Sequence, residues 1–385
     1  MNKVAVIGTG MTKFGELWDK SLRDLIVEAG VLAMRDAGVT TRDIEALYGG
    51  NMSGGNFVKQ EHLASLLADT TCLQPVPSVR VESACASGGL ALRQAYLDIA
   101  SGMHDIVVVG GVEKMTDVSA ETATQVLATA ADQEWESFYG LTFPGVYAMM
   151  ARAHMNKYGT TEEMLSAVSS KSHHNGTMNP HAQFRYEVSI DAVLRSAMVA
   201  DPLRLLHCSP LSDGGAAVIL ASEKKAKELS DSPVWILGSG HATDTIALHG
   251  RPTMTSLNAA IYASKQAYTQ AGLHPKDIDL AEVHDCFSIA EIIATEDLGF
   301  FENGEGGRAA LEGETALDGK IAINSSGGLK SKGHPVGATG IAQVLEIKEQ
   351  LLNQAGKRQV GEAEIGMTHN VGGSGGSCLV HIFSR

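Results

Sequence analysis

The chain has 385 residues, 44% of them apolar, a length too great for one simple core and suited to two fused halves of ordinary domain size. Its formal charge of −14 argues against a nucleic-acid partner, though a local patch of opposite sign can still hold an anionic cofactor. No apolar run approaches the roughly 20 residues that span a bilayer, the opening run 1–8 is too short for a secretory hydrophobic segment, and the cysteines at 72, 85, 208, 286 and 378 show neither zinc spacing nor an even disulfide framework, so the expectation is a cytoplasmic protein with no membrane partner.

The first element is a strand over Val4-Ala-Val-Ile-Gly-Thr-Gly10. Its Gly8-Thr-Gly10 is followed by Lys13 where a dinucleotide fingerprint needs a third glycine, so a Rossmann reading fails. Ser21-Leu22 then opens a helix that closes at Ala37-Gly38, followed by Thr41-Arg-Asp-Ile-Glu45.

In Val79-Arg-Val-Glu-Ser-Ala-Cys-Ala-Ser-Gly-Gly89 a β-rich run ends in small residues and a helical stretch begins, which puts Cys85 at a helix start. Unpaired N–H groups and partial positive charge there favour a thiolate and offer donors to an oxyanion beside it. Residues 115–200 interrupt the pattern. Within them Phe143–His154 has helical spacing, and Met149, Met150 and Met155 are expected to be core packing rather than channel lining. Ser209 precedes Asp213-Gly214 and the strand-like Gly214–Ser222.

The order of elements then repeats at an offset of about 230 to 235 positions, as in duplicated domains. Val234-Trp-Ile-Leu-Gly-Ser-Gly240 echoes the first strand. Ser256-Leu257 opens a helix closing at Ala271-Gly272, before Pro275-Lys-Asp-Ile-Asp279, and Gly376–Ser384 matches Gly214–Ser222. The predicted division is 1–114 with 201–228 as one half, 115–200 as an insertion, and 229–385 as the other half. Alternating strands and helices of this kind imply sheets covered by helices on both faces.

Ala281-Glu-Val-His-Asp-Cys-Phe287 brings three ionisable groups to a strand end; alternation aims His284 and Cys286 one way and Asp285 the other. Asn324–Gly340 is a glycine-rich loop carrying His334, with Pro335 suited to the opening turn of the following helix. Gly328-Leu-Lys-Ser-Lys-Gly333 begins like a phosphate-binding loop but continues with His334-Pro335, which excludes a nucleotidase. No two histidines sit at helical ligand spacing beside an acidic residue, so no metal is expected.

The segment around Cys85, the Gly-His-Pro-Val-Gly-Ala-Thr-Gly loop and the run Gly372-Gly-Ser-Gly-Gly376 together resemble the thiolase superfamily over nearly the whole chain. His-Asp-Cys-Phe at 284–287 is similar to the sterol-carrier-protein-2-type and archaeal acetoacetyl-CoA branch. Asn370-Val-Gly372 stands where most thiolases carry a second catalytic cysteine, and in the resembling branch Cys286 takes over that acid/base role. The resemblance implies an α/β fold of two duplicated βαβαβαββ halves, with two sheets in a five-layered α-β-α-β-α arrangement and an inserted loop domain over a coenzyme A site.

For the site it implies Cys85 as nucleophile and His334 as its base and an oxyanion donor, with Cys286 as acid/base and His284 as oxyanion donor. The backbone N–H groups of Cys85 and Gly372 would form a second oxyanion hole, Asn370 would orient His334 or the last glycine loop, and Ser209 would contact coenzyme A; His369 lies nearby with no assigned role. The implied reaction is reversible Claisen condensation of two acetyl-CoA to acetoacetyl-CoA, with coenzyme A thioesters as substrates and no tightly bound cofactor. The rivals are a degradative 3-oxoacyl-CoA thiolase, an aldolase, a ketoacyl synthase and a non-catalytic assembly subunit. Implied partners are a second copy in a homodimer or tetramer, HMG-CoA synthase and a small zinc-ribbon/OB-fold protein, in the mevalonate pathway.

Overall fold

The computed structural model describes residues 2–73 and 75–385, so Met1 of the opening run lies outside them. Twelve strands occur among the described residues. The first half holds β1 (Val4–Met11), β2 (Ala46–Gly50), β3 (Ser78–Val81) and β4 (Ile106–Glu113). A small ribbon of β5 (Met198–Ala200) and β6 (Leu203–Arg204) follows, then β7 (Gly214–Ser222). The second half holds β8 (Val234–Thr243), β9 (Leu280–Glu282), β10 (Ala322–Ile323), β11 (Ile365–Gly372) and β12 (Ser377–Ser384).

The strand order β10-β9-β11-β12-β8-β1-β7-β4-β2-β3 is a palindrome of roles. β1 corresponds to β8, β7 to β12, β4 to β11, β2 to β9 and β3 to β10, which is the predicted duplication in three dimensions. The two sheets expected from the resemblance are joined at one seam, where Ala5 pairs with Trp235 and Val6 with Val234.

The repeated Gly-x-Gly has a packing cause. A Cβ on Gly8 or Gly10 would sit 2.5 Å from the backbone of Ala33, on the helix Leu22–Ala37 that crosses β1. One on Gly238 or Gly240 would meet the carbonyls of Ala267 and Ala263, on the helix Asn258–Ala271 that crosses β8. These glycines let an outer helix lie directly on its strand.

On the opposite face two central helices, Ser87–Ser101 and Thr339–Leu351, pack against each other and against both halves of the sheet. Their apolar faces, including Leu92, Ile99, Ile341 and Val344, are almost fully buried together with Val107, Val109 and Val218. Both helices begin at the same place. A Cβ on Gly88 would lie 2.7 Å from the Gly337 carbonyl, and one on Gly340 would lie 2.3 Å from the Gly89 nitrogen. Close approach of glycine backbones therefore brings the chain ahead of each helix, carrying Cys85 and His334, into one region.

The insertion supplies the helices Ala120–Ala128, Phe143–Tyr158, Glu162–Thr177 and Ile190–Leu194. The β5/β6 ribbon straddles the predicted boundary at 200, so the inserted fold runs on through Arg204. The core packing expected of the three methionines holds for Met150, which is fully buried; Met149 is 43% exposed and Met155 half-buried, so neither belongs to the core.

Candidate active site

Cys85 ends a strained turn. Ala84, immediately before it, has a φ of +49°, a left-handed conformation that a non-glycine residue adopts at a cost. The helix then starts at Ser87, and the Cys85 side chain is 9% exposed at the base of a cleft of about 200 Å³. Cys286, His334, Ser209 and Gly373 line the same cleft, and the insertion closes it with Met115, Leu127, Phe143 and Tyr147. A thiol, His284 and His334 offer donor atoms that all lie within 4.8 Å of one another. Three segments far apart in sequence thus converge.

The hydrogen bonds fix which nitrogen of each imidazole carries the proton. Thr339 Oγ1 donates to the Pro335 carbonyl at 3.1 Å, so its 2.7 Å contact with His334 Nδ1 must be one in which the ring N–H donates. His334 Nε2 is then an unprotonated lone pair, buried and without a hydrogen-bond partner among the described residues. His284 is the reverse case. The Gly89 N–H donates to Asn370 Oδ1 at 3.1 Å, which turns the Asn370 amide nitrogen toward the Cys85 carbonyl at 3.1 Å and toward His284 Nδ1 at 3.2 Å. His284 Nδ1 therefore accepts, and its buried, unpartnered Nε2 carries hydrogen. One ring presents a base and the other a donor, with their planes at 80° and centroids 5.0 Å apart.

Burial dominates the electrostatics. It pushes the Cys85 thiol up to about 12, raised further by Glu113, while the amides of Gly373 and of Cys85 itself pull the other way. The expectation of a thiolate favoured by the helix terminus is thus corrected: desolvation outweighs the terminal N–H groups, and the resting thiol keeps its proton. Burial lowers His334 to about 4, so it is neutral and able to accept a proton. Burial first, then His334 and His369, hold His284 well below the ordinary imidazole value. The Cys286 thiol is raised by burial first, with the neighbouring Tyr147 hydroxyl opposing.

Cys286 lies in irregular chain beyond β9, yet it faces the cleft as strand alternation predicts. Asp285 faces away and is fully buried, accepting from Lys330 Nζ at 2.6 Å and from the Leu329 N–H at 2.7 Å. That buried pair ties the His-Asp-Cys-Phe segment to the loop that carries His334.

Three expected details are corrected. The amide that reaches the Cys85 sulfur is that of Gly373, one residue beyond Gly372. Gly372 is the last residue of β11 and is paired with Ser377, whereas Gly373 turns back with a φ of +60°. Asn370 holds His284 and the Cys85 carbonyl, because β11 delivers it beneath the helix that follows Cys85; Thr339 orients His334 instead. Pro335 does not open the following helix, which starts at Thr339; its carbonyl accepts the N–H groups of Ala338 and Thr339 in a preceding turn.

Ser209 borders the cleft, and its backbone N–H donates to the Cys286 carbonyl at 2.9 Å. His369 Nδ1 accepts from the His284 backbone N–H at 3.3 Å, so it supports that segment from behind. Tyr147 was not foreseen. Its ring stacks on Phe287 at 4.6 Å and its hydroxyl donates to the Gly373 carbonyl at 3.1 Å, linking the insertion to the His-Asp-Cys-Phe segment and to the last glycine loop. Only its place in an apolar helical stripe marked it in sequence.

Residues 4–224 match the thiolase N-terminal domain and residues 240–385 the thiolase C-terminal domain-like family. The chain belongs to the thiolase family. It is 59% identical, over the whole of both chains, to the acetyl-CoA acetyltransferase of Methanothermobacter thermautotrophicus. To the enzyme of that name from Methanocaldococcus jannaschii it is 54% identical, covering 100% of this chain and 99% of the other. Sterol carrier protein 2 of Bos taurus is 37% identical over 99% of this chain and 72% of its own length. These relatives bear out the resemblance to the archaeal and sterol-carrier-protein-2-type branch.

Among solved structures, the Ltp2-ChsH2(DUF35) aldolase superposes with a TM-score of 0.86 at 24% identity, covering 100% of this chain and 98% of that one. An acetyl-CoA acetyltransferase from Syntrophomonas wolfei gives 0.75 at 20% identity with full coverage of both. At such identities these likenesses show the mixed α/β thiolase fold. No described helix is long and apolar enough to cross a membrane.

Proposed function

We propose that this thiolase condenses two acetyl-CoA reversibly to acetoacetyl-CoA and free coenzyme A, through an acetyl group carried on Cys85. The observation that carries the reading is the pair of opposite tautomers beside one thiol, a bare Nε2 on His334 and a hydrogen-bearing Nε2 on His284. The names of the two archaeal relatives support acetyl-CoA as substrate. A cleft of about 200 Å³ supports a short acyl group.

In the first half-reaction His334 Nε2 takes the Cys85 proton as the sulfur attacks the thioester carbonyl. The tetrahedral oxyanion accepts from the amides of Cys85 and Gly373, and a donor so placed is worth about 3 kcal/mol. The departing coenzyme A thiolate takes the proton of Cys286. That transfer solves a problem set by burial: it generates the Cys286 thiolate only when it is needed, beside a protonated His334 that stabilises it.

In the second half-reaction the Cys286 thiolate removes a proton from the methyl carbon of a second acetyl-CoA. The enolate oxygen accepts from Nε2–H of His284 and of the protonated His334. The enolate carbon attacks the acetyl group, and Cys85 leaves with the proton held by His334. Cys85 regains its own proton through His334, while Cys286, whose proton left on coenzyme A, is reloaded from the methyl carbon, so all three groups end as they began and the cycle runs equally in the cleavage direction. Ser209 is the proposed coenzyme A contact at the cleft edge, and no tightly bound cofactor is required.

A homodimer or tetramer, a cytoplasmic location, a mevalonate-pathway role, and assembly with HMG-CoA synthase and a zinc-ribbon/OB-fold protein rest on the resemblance; co-purification from the source cell tests the assembly. The division into 1–114 with 201–228, 115–200 and 229–385 is kept as a proposal with the insertion extended through Arg204. The reaction is tested by cleavage of a series of 3-oxoacyl-CoA substrates. Highest kcat/KM on acetoacetyl-CoA supports the biosynthetic reading, and a preference for longer or branched chains supports the degradative alternative.

A further inference from the structure

We infer that Cys85, His284 and His334 form a three-ligand site for a single soft or borderline divalent cation such as zinc, whose occupation blocks the nucleophile. Their donor atoms lie within 4.8 Å of one another. A tetrahedral zinc with bonds of about 2.3 Å to sulfur and 2.0–2.1 Å to nitrogen needs donors roughly 3.3–3.6 Å apart, so a contraction of little more than an ångström suffices. Both Nε2 atoms are buried without a hydrogen-bond partner among the described residues, on histidines only 1% and 6% exposed, and the rings meet edge to face. A buried polar atom left unpaired in this way signals a ligand.

The surroundings of the three donors fit as well. His334 has its far Nδ1–H held by the Thr339 hydroxyl, the arrangement that orients metal-ligating imidazoles, whereas His284 Nδ1 faces the Asn370 amide nitrogen. The fourth position opens on the cleft lined by Cys286 and Tyr147, where water or an incoming thioester would sit. On binding, Cys85 releases its proton to solvent and ligates as thiolate, while both imidazoles stay neutral. His334 already presents a lone pair. His284 must move its proton from Nε2 to Nδ1, which opposes the Asn370 amide and obliges that side chain to turn away from Gly89. That penalty makes the site one of reversible inhibition rather than of a resident metal.

The geometry rests on the convergence of residues and not on the proposed reaction; only competition with acetyl-CoA depends on that reading. The test is titration of the purified full-length protein with cobalt(II), followed by its tetrahedral visible bands and its thiolate-to-cobalt charge-transfer band. The expected result is one cobalt per chain with one thiolate ligand, displaced by zinc, weakened at least about 100-fold in Cys85→Ser and unchanged in Cys286→Ala. Thr339→Val, which frees the His334 ring without touching a ligand, should weaken binding by about 10-fold or more. A charge-transfer band that survives in Cys85→Ser, disappears in Cys286→Ala, or never forms in the wild type overturns the inference. If the bands behave as expected but saturating cobalt leaves acetylation of the protein by acetyl-CoA unchanged, the site stands and the acyl-transfer reading on Cys85 is what fails.

Discussion

Thr339 Oγ1 lies 2.7 Å from His334 Nδ1 and gives its own hydrogen to the Pro335 carbonyl, so one hydroxyl at a helix start selects the tautomer that leaves His334 Nε2 a bare lone pair. Replacing Thr339 with valine leaves the Nδ1–H buried and unpaired. Such a loss costs about 1–3 kcal/mol, which predicts a roughly 5- to 150-fold fall in the rate of Cys85 acetylation with little change in fold. Rapid-quench measurement of the acylation step checks it.

Cys286→Ala separates the two half-reactions. Cys85, His334 and both amides remain, and the departing coenzyme A thiolate can take its proton from water in place of Cys286, so acetyl transfer to the enzyme should proceed more slowly, while condensation should fall by about 10²- to 10⁴-fold for loss of the carbon acid's base. The expected sign is an acyl-enzyme that forms and persists. A ketoacyl-synthase-like mechanism, which pairs its cysteine with two histidines, would show no such split.

The acid limb of kcat/KM follows from His334. Protonated imidazole has no lone pair to accept the Cys85 proton, so activity is lost as pH falls through about 4, where burial has brought His334. Above that limb the profile should stay flat until the thiols ionise, since burial raises both of them. An acid limb near the ordinary imidazole value of about 6.5 would contradict the buried, neutral state described for this ring.

Asp285 and Lys330 form a fully buried ion pair. Removing one partner strands a charge, so Asp285→Asn should destabilise by about 3–5 kcal/mol. Replacing both residues by apolar ones of similar size should recover much of that stability. Chemical denaturation of the two variants measures the difference.

Much of this site could be read from sequence because its residues sit in unusual company. Cys85 and His334 each stand among glycines just ahead of a helix, and His-Asp-Cys-Phe clusters three ionisable groups at a strand end. The duplication of β1 in β8 was visible as a repeated Gly-x-Gly, although its cause, helices lying on bare strands, needed coordinates. What escaped depends on contacts between halves. Thr339, Tyr147 and Gly373 act through partners that no spacing relates, and Asn370 serves His284 because β11 runs under the nucleophile helix. The protonation of Cys85 was misjudged because a helix terminus is a local property, whereas burial is set by the insertion and by the opposite half.

The central claim is that Cys85 carries the acyl group. Incubating the protein with acetyl-CoA, then digesting it and locating the modified peptide by mass spectrometry, tests that claim most directly. The account predicts one acetyl group, on the peptide containing Cys85, removed by added coenzyme A and absent in Cys85→Ser. An unmodified Cys85, or acetylation found on Cys286 instead, would contradict it.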